Sequence, residues 1–295
     1  MISATFDLDD FIAEHVTGRS ASMFAADLES HDAELRTAIA GKSVLVIGGA
    51  GTIGSSYIRA LLPYGPARLV VVDLSENGLT ELTRDLRSTH DQFMPADFIT
   101  YPISFGGKVF ERMLAAEGPF HIVAHFAAHK HVRSEKDRYS IEAMLENNVL
   151  ATARLLDLLQ DTPPEHFFCV STDKAANPAN VMGASKKLME EAVLAYAETM
   201  PATTARFANV AFSNGSLPAG FLERLAKHQP LAAPSDVLRY FVSPAESGQL
   251  CLLACITGEP GDIFFPRLDE PQMLTFSSIA DALLTSLGYT PVRCA

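Results

Sequence analysis

A short apolar run that leads directly into a glycine-rich turn is the feature that most constrains the fold of this chain. The run covers residues 44–47, and the turn is Gly48-Gly49-Ala50-Gly51-Thr52-Ile53-Gly54, a G-x-x-G-x-x-G pattern that opens a predicted helix. Glycines allow a tight turn and close approach of a pyrophosphate, and the helix N-terminus supplies free N–H groups and a positive dipole end. The pattern therefore predicts a dinucleotide-binding turn. Its candidate cofactor contacts are Gly48, Gly51, Thr52, Ile53 and Gly54.

Short β-branched or apolar runs alternate with helical patterns from residue 43 to about residue 207. Predicted strands cover residues 44–47, 69–72, 98–103, 121–125, 166–170 and 203–207, and predicted helices cover residues 53–62, 79–88, 141–159 and 182–198. This alternation is typical of parallel β-α-β units whose sheet is covered on both faces. We therefore predict an α/β fold with a Rossmann-type doubly wound parallel sheet.

The two regions that flank this core do not show its alternating strand and helix patterns. Residues 1–40 carry apolar side chains at helical intervals and are predicted to form an N-terminal helical extension without assigned chemistry. After Asn209, seven prolines between residues 218 and 271 divide the chain into short segments, which predicts a smaller, irregular cap over the carboxyl edge of the sheet, where ligands bind in such folds. The predicted division is an extension (1–40), an NAD(P)-binding domain (41–208) and a substrate-binding region (209–295), parts of which return to the sheet.

Asp73 ends the second predicted strand, 19 residues beyond Gly54. A carboxylate at this position would accept hydrogen bonds from the adenosine ribose and repel a 2′-phosphate, so NAD is favoured, with NADP still possible. The alternative is an aspartate that only caps the following helix.

Composition excludes several classes of protein. A net charge of −12 argues against nucleic-acid binding, which needs a broad basic surface. The four cysteines fit no disulfide framework and indicate free thiols in a reducing compartment. No apolar run is long enough to span a bilayer. The acidic start lacks the apolar region of a signal peptide. The histidines at 125, 129 and 131 lack carboxylate or cysteine partners at ligand spacing, so no metal is predicted. A soluble cytoplasmic protein is expected.

The sequence motifs around the fifth strand resemble those of the extended short-chain dehydrogenase/reductases. The strand ends in Ser171-Thr172-Asp173-Lys174, and the next helix begins Met182-Gly183-Ala184-Ser185-Lys186. The family signature is Tyr-x-x-x-Lys with a Ser or Thr at the end of the preceding strand. Lys186 occupies the lysine position, but Met182 stands where the tyrosine belongs, and a thioether cannot transfer a proton.

Two longer sequence segments, residues 170–178 and 180–186, are similar to those of nucleotide-sugar 4,6-dehydratases that act on UDP-N-acetylglucosamine and its relatives. One branch of these dehydratases also has Met in place of the Tyr. Residues 129–137 look most like soluble dehydratases of legionaminic-acid-type pathways, and residues 206–216 and 238–241 match that group's substrate-binding words. Members of the family normally continue beyond Ala295, so the resemblance implies that the cap is incomplete.

The resemblance implies oxidation at C4, loss of the C5 proton with the C6 hydroxyl, and hydride return to C6. In this scheme Asp173 is the acid at O6, Lys174 the base at C5, and Thr172 bonds O4, with Lys186 holding the nicotinamide ribose. The catalytic candidates are thus Thr172, Asp173, Lys174 and Lys186. Ala127 joins the cofactor contacts, and the substrate contacts are Lys130, Met182, Asn209 and Arg239. Asn209 and Arg239 are expected at the nucleotide diphosphate.

Several alternatives remain open at this point. Asp173 and Lys174 could be a solvated ion pair, Lys130 a surface lysine, and Asn209 and Arg239 turn or surface residues. The chain could be an epimerase on the same scaffold, or an inactive dinucleotide-binding regulator, for which Met182 is the best argument. The sequence does not choose between a UDP and a GDP sugar. Self-association into a homo-oligomer is expected from the resemblance.

Overall fold

The computed structural model describes residues 6–131, 135–268 and 272–293, and within them a parallel sheet of seven strands lies at the centre. The strands of the chain are β1 (Ser43–Ile47), β2 (Arg68–Asp73), β3 (Asp97–Pro102), β4 (Ile122–His125), β5 (His166–Val170), β6 (Ala202–Ala205), β7 (Asn209–Val210), β8 (Leu238–Arg239), β9 (Phe241–Val242), β10 (Ile263–Phe264) and β11 (Leu274–Thr275). The sheet order is β10-β6-β5-β4-β1-β2-β3. β1 therefore lies between β2 and β4, at the point where the winding reverses and a crevice opens.

Helices cover both faces of the sheet. They are α1 (Leu8–Phe11), α2 (Ala25–Ser30), α3 (Asp32–Ile39), α4 (Thr52–Leu61), α5 (Glu76–Ser88), α6 (Lys108–Glu117), α7 (Arg138–Leu145), α8 (Ala151–Leu159), α9 (Val181–Ala195), α10 (Leu217–Ala226), α11 (Pro244–Thr257) and α12 (Phe276–Ser286). Alternate residues of β1 enter two apolar clusters: Val44 and Val46 pack towards α4 and α11, and Leu45 and Ile47 towards α6, α8 and α9. This confirms the predicted doubly wound parallel sheet.

The region after Asn209 is more regular than the sequence predicted. Its described residues form the α-helices α10, α11 and α12, and two of these begin at or next to a proline: Pro218 lies in the first turn of α10, and Pro244 is the first residue of α11. Proline lacks a backbone N–H that the first helical turn does not need, so it starts a helix as readily as it breaks one. The prediction of short irregular segments was wrong for this reason. Helix α6, before β4, was also missed.

Part of this region joins the central sheet. β10 pairs in parallel with β6, and α11 packs against α4 so closely that a β-carbon on Gly248 would lie 2.3 Å from the backbone of Ser56. The remaining segments form the small sheets β7/β9 and β8/β11 beside the carboxyl edge. They share a third apolar cluster with the N-terminal residues Phe11, Ile12 and Val16.

Candidate functional site

The glycine turn after β1 is packed against the loop that follows β4. Gly48 has a φ of 81°, and a β-carbon there would lie 2.4 Å from the backbone nitrogen of Ala127. A β-carbon on Gly54 would lie 2.3 Å from the carbonyl oxygen of Gly48. Gly51 precedes α4 in an extended conformation, so the first N–H groups of this ten-residue helix stay free of a side-chain cap. This bare helix N-terminus fits an anionic ligand such as a pyrophosphate.

Asp73 lies at the end of the neighbouring strand β2 and contacts the same turn. Its carboxylate accepts hydrogen bonds from the N–H of Ala50 at 3.0 Å and from the N–H of Ser75 at 2.9 Å. The residue that caps α5 is Ser75, whose hydroxyl accepts the N–H of Gly78 at 3.0 Å. The carboxylate is thus fixed beside the glycine turn, where it faces the cavity described next.

A cavity of about 500 Å³ opens at the carboxyl ends of β1, β4 and β5. It brings together most of the residues singled out in the sequence: Gly48, Gly51, Thr52, Ile53, Gly54, Asp73, Ala127, Lys130, Thr172, Lys174, Met182, Lys186 and Asn209. Asp173 and Arg239 are described by the structure but do not line this cavity. Arg239 is exposed, and its guanidinium donates to the carbonyl oxygen of Leu238 at 2.8 Å.

The segment that follows β5 forms a one-turn helix over Asp173–Ala175, capped by Thr172. One carboxylate oxygen of Asp173 accepts hydrogen bonds from the Thr172 hydroxyl at 2.9 Å and from the Lys174 ammonium at 3.1 Å. The side chains of Lys174 and Asp173 are 33% and 48% exposed. The structure therefore shows a partly solvated ion pair at the cavity mouth, with the lysine on the cavity side.

Lys186 lies beneath this mouth, on α9. It is 4% exposed, and its ammonium donates to the carbonyl oxygen of Val170 at 2.7 Å. Burial lowers the pKa of Lys186, opposed in part by the nearby Cys169 and Glu190. Burial, and secondarily the charge of Lys186, lowers the pKa of His125 to about 3, so this histidine is neutral. Lys186 therefore lines the cavity as a buried amine, while the neutral His125, whose pKa it lowers, is not among the lining residues.

Met182 occupies the start of the same helix and is 4% exposed. Its backbone N–H donates to the Glu135 carboxylate at 2.8 Å, and its side chain lines the cavity. A thioether has no proton to exchange, so Met182 can supply packing but not acid–base chemistry. Any proton transfer here falls to the other groups in the cavity wall, among them Ser171, Thr172, Lys174 and Lys186.

A buried ion-pair network behind the cavity was missed by sequence analysis. Glu190 is fully buried, its carboxylate accepts a hydrogen bond from Ser171, and Arg206 binds it with two nitrogens at 2.8 and 2.5 Å. The network ties the end of β5 to α9 and to the chain after β6. Glu190 stands four residues after Lys186 on the same helix face, which was the available signal.

A second missed residue is Asn148, which is buried between α7 and α8. Its side-chain oxygen accepts the His129 N–H at 2.8 Å, and its nitrogen donates to the His129 carbonyl at 2.9 Å and to the Ser185 hydroxyl at 3.0 Å. It thereby holds the loop that carries Lys130. Lys130 lines the cavity and is exposed to solvent. Residues 132–134 of the predicted family word 129–137 lie outside the described residues.

The far wall of the cavity comes from the region after Asn209. Ser213, Ser216, Phe241 and Phe276 line it, and the N–H of Asn214 donates to the Thr52 hydroxyl at 2.9 Å. Thr52 belongs to the first turn of α4, so this bond joins the glycine turn to the opposite wall. The cavity is therefore shared between the two halves of the chain.

The described residues also bear on a metal site and on a membrane span. They hold no group of three or more His, Cys, Asp or Glu side chains suited to a metal ion. No helix formed by them is long and apolar enough to cross a membrane. Cys169, Cys251 and Cys255 are buried free thiols, and burial raises the pKa of Cys255 to about 12.

Residues 44–294 match the sequence profile of a family described as polysaccharide biosynthesis protein. An uncharacterized membrane protein of Methanocaldococcus jannaschii is 30% identical over 85% of this chain and 74% of its own. A UDP-N-acetylglucosamine 4,6-dehydratase (inverting) of Campylobacter jejuni is 25% identical over 84% of this chain and 73% of its own.

Other relatives carry different names or greater lengths. A UDP-glucose 4-epimerase of Rickettsia rickettsii is 29% identical over 77% of this chain and 66% of its own. The chain spans only 42% and 38% of two polysaccharide biosynthesis proteins, from Bacillus subtilis and Staphylococcus aureus.

Solved structures share the fold. Pen from Bacillus thuringiensis superposes with a TM-score of 0.74 at 21% identity, covering 86% of this chain and 77% of its own. The dTDP-glucose 4,6-dehydratase DesIV from Streptomyces venezuelae, solved with NAD and TYD bound, superposes with a TM-score of 0.68 at 23% identity, covering 84% and 81%. At these identities the likeness concerns the fold.

Proposed function

The chain belongs to the polysaccharide biosynthesis protein family, and on that premise we propose that it is an NAD-dependent 4,6-dehydratase of a UDP-linked N-acetylglucosamine. One observation carries the proposal: the glycine turn, Asp73, Thr172, Lys174 and Lys186 line a single cavity. Residues 41–208 would hold the cofactor and the region after residue 209 the sugar nucleotide. The relative named as a UDP-N-acetylglucosamine 4,6-dehydratase supports this substrate class.

The cofactor half of the cavity suits NAD. The bare N-terminus of α4 would receive the pyrophosphate, and the fixed Asp73 carboxylate would bond the adenosine ribose and repel a 2′-phosphate. A bound nicotinamide dinucleotide supplies the hydride acceptor and donor that such a dehydration needs. Lys186 would bond the nicotinamide ribose from the floor of the cavity, exchanging its contact with the Val170 carbonyl for that hydroxyl.

The elimination itself needs an acid and a base on one substrate. Transfer of a proton from the Lys174 ammonium to the Asp173 carboxylate, which it touches at 3.1 Å, would leave a neutral amine on the cavity side to remove the C5 proton and a carboxylic acid to protonate the departing C6 hydroxyl. For this the Asp173 side chain must turn from the cavity mouth towards the sugar. The Thr172 hydroxyl would form a hydrogen bond to O4, which the thioether of Met182, at the family's tyrosine position, has no proton to donate to.

The alternatives predict different products from one experiment. The protein is incubated with NAD and UDP-N-acetylglucosamine, or separately with the GDP sugar, in deuterated water, and products are examined by mass spectrometry and NMR. A dehydratase removes one water and incorporates solvent deuterium at C5. An epimerase, the activity named for one relative, leaves the sugar mass unchanged and inverts C4. An inactive regulator binds NAD without turnover, and either of these two results would overturn the proposal.

A matched pair of variants links the activity to the cavity. Lys174→Met removes the proposed base, and we expect turnover to fall by about 10²–10⁴-fold, the usual contribution of a positioned acid or base. Lys187→Met removes a partly exposed lysine of the i,i+4 pair with Glu191, outside the cavity lining, and should leave turnover unchanged. Equal activity of the two variants would remove Lys174 from the mechanism.

A further inference from the structure

The segment of residues 6–24, called here the N-terminal segment, lies outside the part of the chain that matches the family, residues 44–294. It begins with α1, continues as a π-helical stretch over Ile12–Thr17, and reaches the start of α2. It contacts β9 and α12, the elements that carry the cavity-lining residues Phe241 and Phe276.

Arg19 makes the polar part of this contact. Its guanidinium binds both carboxylate oxygens of Glu246 at 2.8 and 2.6 Å and donates to the carbonyl oxygen of Phe241 at 3.3 Å. Glu246 is 2% exposed, and its carboxylate also accepts a hydrogen bond from the N–H of Ser243 at 2.8 Å. Ser243 is the residue that caps the N-terminus of α11. Bidentate pairs of this kind fix geometry as well as charge. One carboxylate thus ties the N-terminal segment to the chain that runs from β9 into α11.

Phe11 makes the apolar part. Its ring packs edge-on against Phe212, with 5.8 Å between ring centroids and an interplanar angle of 85°. Phe212 has a φ of 51°, which is costly for a bulky side chain and persists only where the surroundings enforce it. The next residue, Ser213, lines the cavity. The N-terminal segment therefore packs directly on a strained turn in the cavity wall.

The two contacts converge on the same wall. Phe241 and Phe276 pack edge-on at 6.0 Å and 89°, and both belong to the apolar cluster that Phe11 enters from the other side. The glycine turn and Asp73 belong to the opposite side of the cavity and have no part in this cluster. The Asn214–Thr52 bond joins the two walls through a side-chain hydroxyl only, so a disturbance of the N-terminal segment should reach the far wall and leave the backbone N–H groups of the glycine turn unaffected.

We propose that the N-terminal segment is a positioning element for the substrate-side wall of the cavity, acting through Arg19 and Phe11. Neither residue lines the cavity, so neither is a catalytic residue. The identity of the ligand at this wall, a UDP-linked sugar, rests on the proposed function. The wall's dependence on the N-terminal segment does not.

The test compares Arg19→Met with Arg36→Met, a control that removes an exposed arginine paired with Asp32 at 2.8 Å. Amide hydrogen exchange is measured by mass spectrometry on peptides that cover residues 209–217, 238–247 and 48–54. In Arg19→Met we expect faster exchange in the first two peptides and unchanged exchange in the third. The Kd for UDP-N-acetylglucosamine should rise about tenfold, with the Kd for NAD changed less than about twofold.

A second variant guards against misfolding. Arg19→Met leaves the buried Glu246 carboxylate unpaired, which can destabilise the whole protein. Combining it with Glu246→Gln removes that charge and keeps an oxygen for the Ser243 N–H, so this double variant should fold and show the same local pattern. Unchanged exchange at 209–217 and 238–247, equal acceleration at 48–54, or global unfolding of both variants would overturn the proposal.

The two proposals fail separately. If the parent protein binds no nucleotide sugar, the proposed function is wrong, but the exchange pattern still decides whether the N-terminal segment supports this wall. If the sugar binds and the exchange pattern is absent, the positioning role is wrong and the proposed function stands.

Discussion

A β-carbon on Gly48 would lie 2.4 Å from the backbone nitrogen of Ala127, closer than any real contact allows. Gly48 also has a φ of 81°, a conformation that a side chain disfavours. We therefore expect Gly48→Ala to lower the free energy of unfolding by about 2–5 kcal/mol, from backbone strain and overpacking together. Urea denaturation measures this loss.

Gly51→Ala should separate packing from ligand binding. Gly51 has a φ of −74°, and its β-carbon would meet only the Gly48 carbonyl oxygen at an ordinary 3.5 Å. Its stability should stay within about 1 kcal/mol of the parent. Since Gly51 lines the cavity, the Kd for NAD should nevertheless rise about tenfold or more, as titration calorimetry would show. An unchanged Kd would mean that the pyrophosphate does not approach this residue.

Arg206→Met should be one of the more destabilising substitutions outside the cavity. Among the described residues, it leaves the fully buried Glu190 carboxylate with the Ser171 hydroxyl as its one remaining side-chain partner. Breaking a buried pair in this way costs about 3–5 kcal/mol. The matched control is Arg59→Met, which breaks an exposed pair with Asp85 and should cost at most about 1 kcal/mol. Similar losses in the two variants would show that the buried network contributes no more than a surface pair.

Lys186→Met should lower turnover strongly while leaving the free energy of unfolding almost unchanged. The ammonium is buried beside the Val170 carbonyl, and no carboxylate of the described residues is hydrogen-bonded to it, so burying its charge costs free energy of folding. We expect turnover to fall by about 10²–10⁴-fold, while the free energy of unfolding changes by less than about 1 kcal/mol. Denaturation and turnover measured on one preparation provide the check. A large loss of stability would instead assign Lys186 a structural role.

His125 should make the protein acid-sensitive. Its pKa falls from 6.5 to about 3 on folding, because of burial and then the charge of Lys186, so below pH 6.5 the unfolded chain binds a proton that the folded chain refuses. Stability is therefore lost as the pH falls through 6.5 towards 3, by about 2 kcal/mol between pH 7 and pH 5. His125→Gln should abolish this part of the pH dependence in urea titrations at the two pH values. Parallel behaviour of parent and variant would contradict a buried neutral histidine.

Sequence patterns predicted the sheet better than its surroundings. The strands of a parallel sheet are buried on both faces and read as continuous apolar runs, so the runs at residues 44–47 and 69–72 were found within a residue or two. Helix α11 was hidden because it is apolar on all sides, with residues 250–256 all buried, and so lacks an amphipathic pattern.

The cavity was predicted in outline for a similar reason. Strand ends and the glycine turn share one edge of the sheet, so residues far apart in sequence could be placed together. The position of Arg239 outside the cavity, the buried contacts of Glu190 and the contact between Arg19 and Glu246 depend on tertiary packing, which no local pattern encodes. The expected homo-oligomer remains a prediction.

The region after Asn209 contributes one strand to the central sheet and one helix that covers it. Strand β10 pairs with β6, and the N–H of Arg206 donates to the Phe264 carbonyl at 2.7 Å, while α11 covers α4. A chimera with a single crossover after residue 208 would therefore replace the outermost strand and a covering helix together with the substrate wall. Transplanting specificity from a relative should instead need two grafts, one before Pro244 and one after Phe264, with the stretch between them left native. The fold thus makes the substrate wall exchangeable only in two pieces.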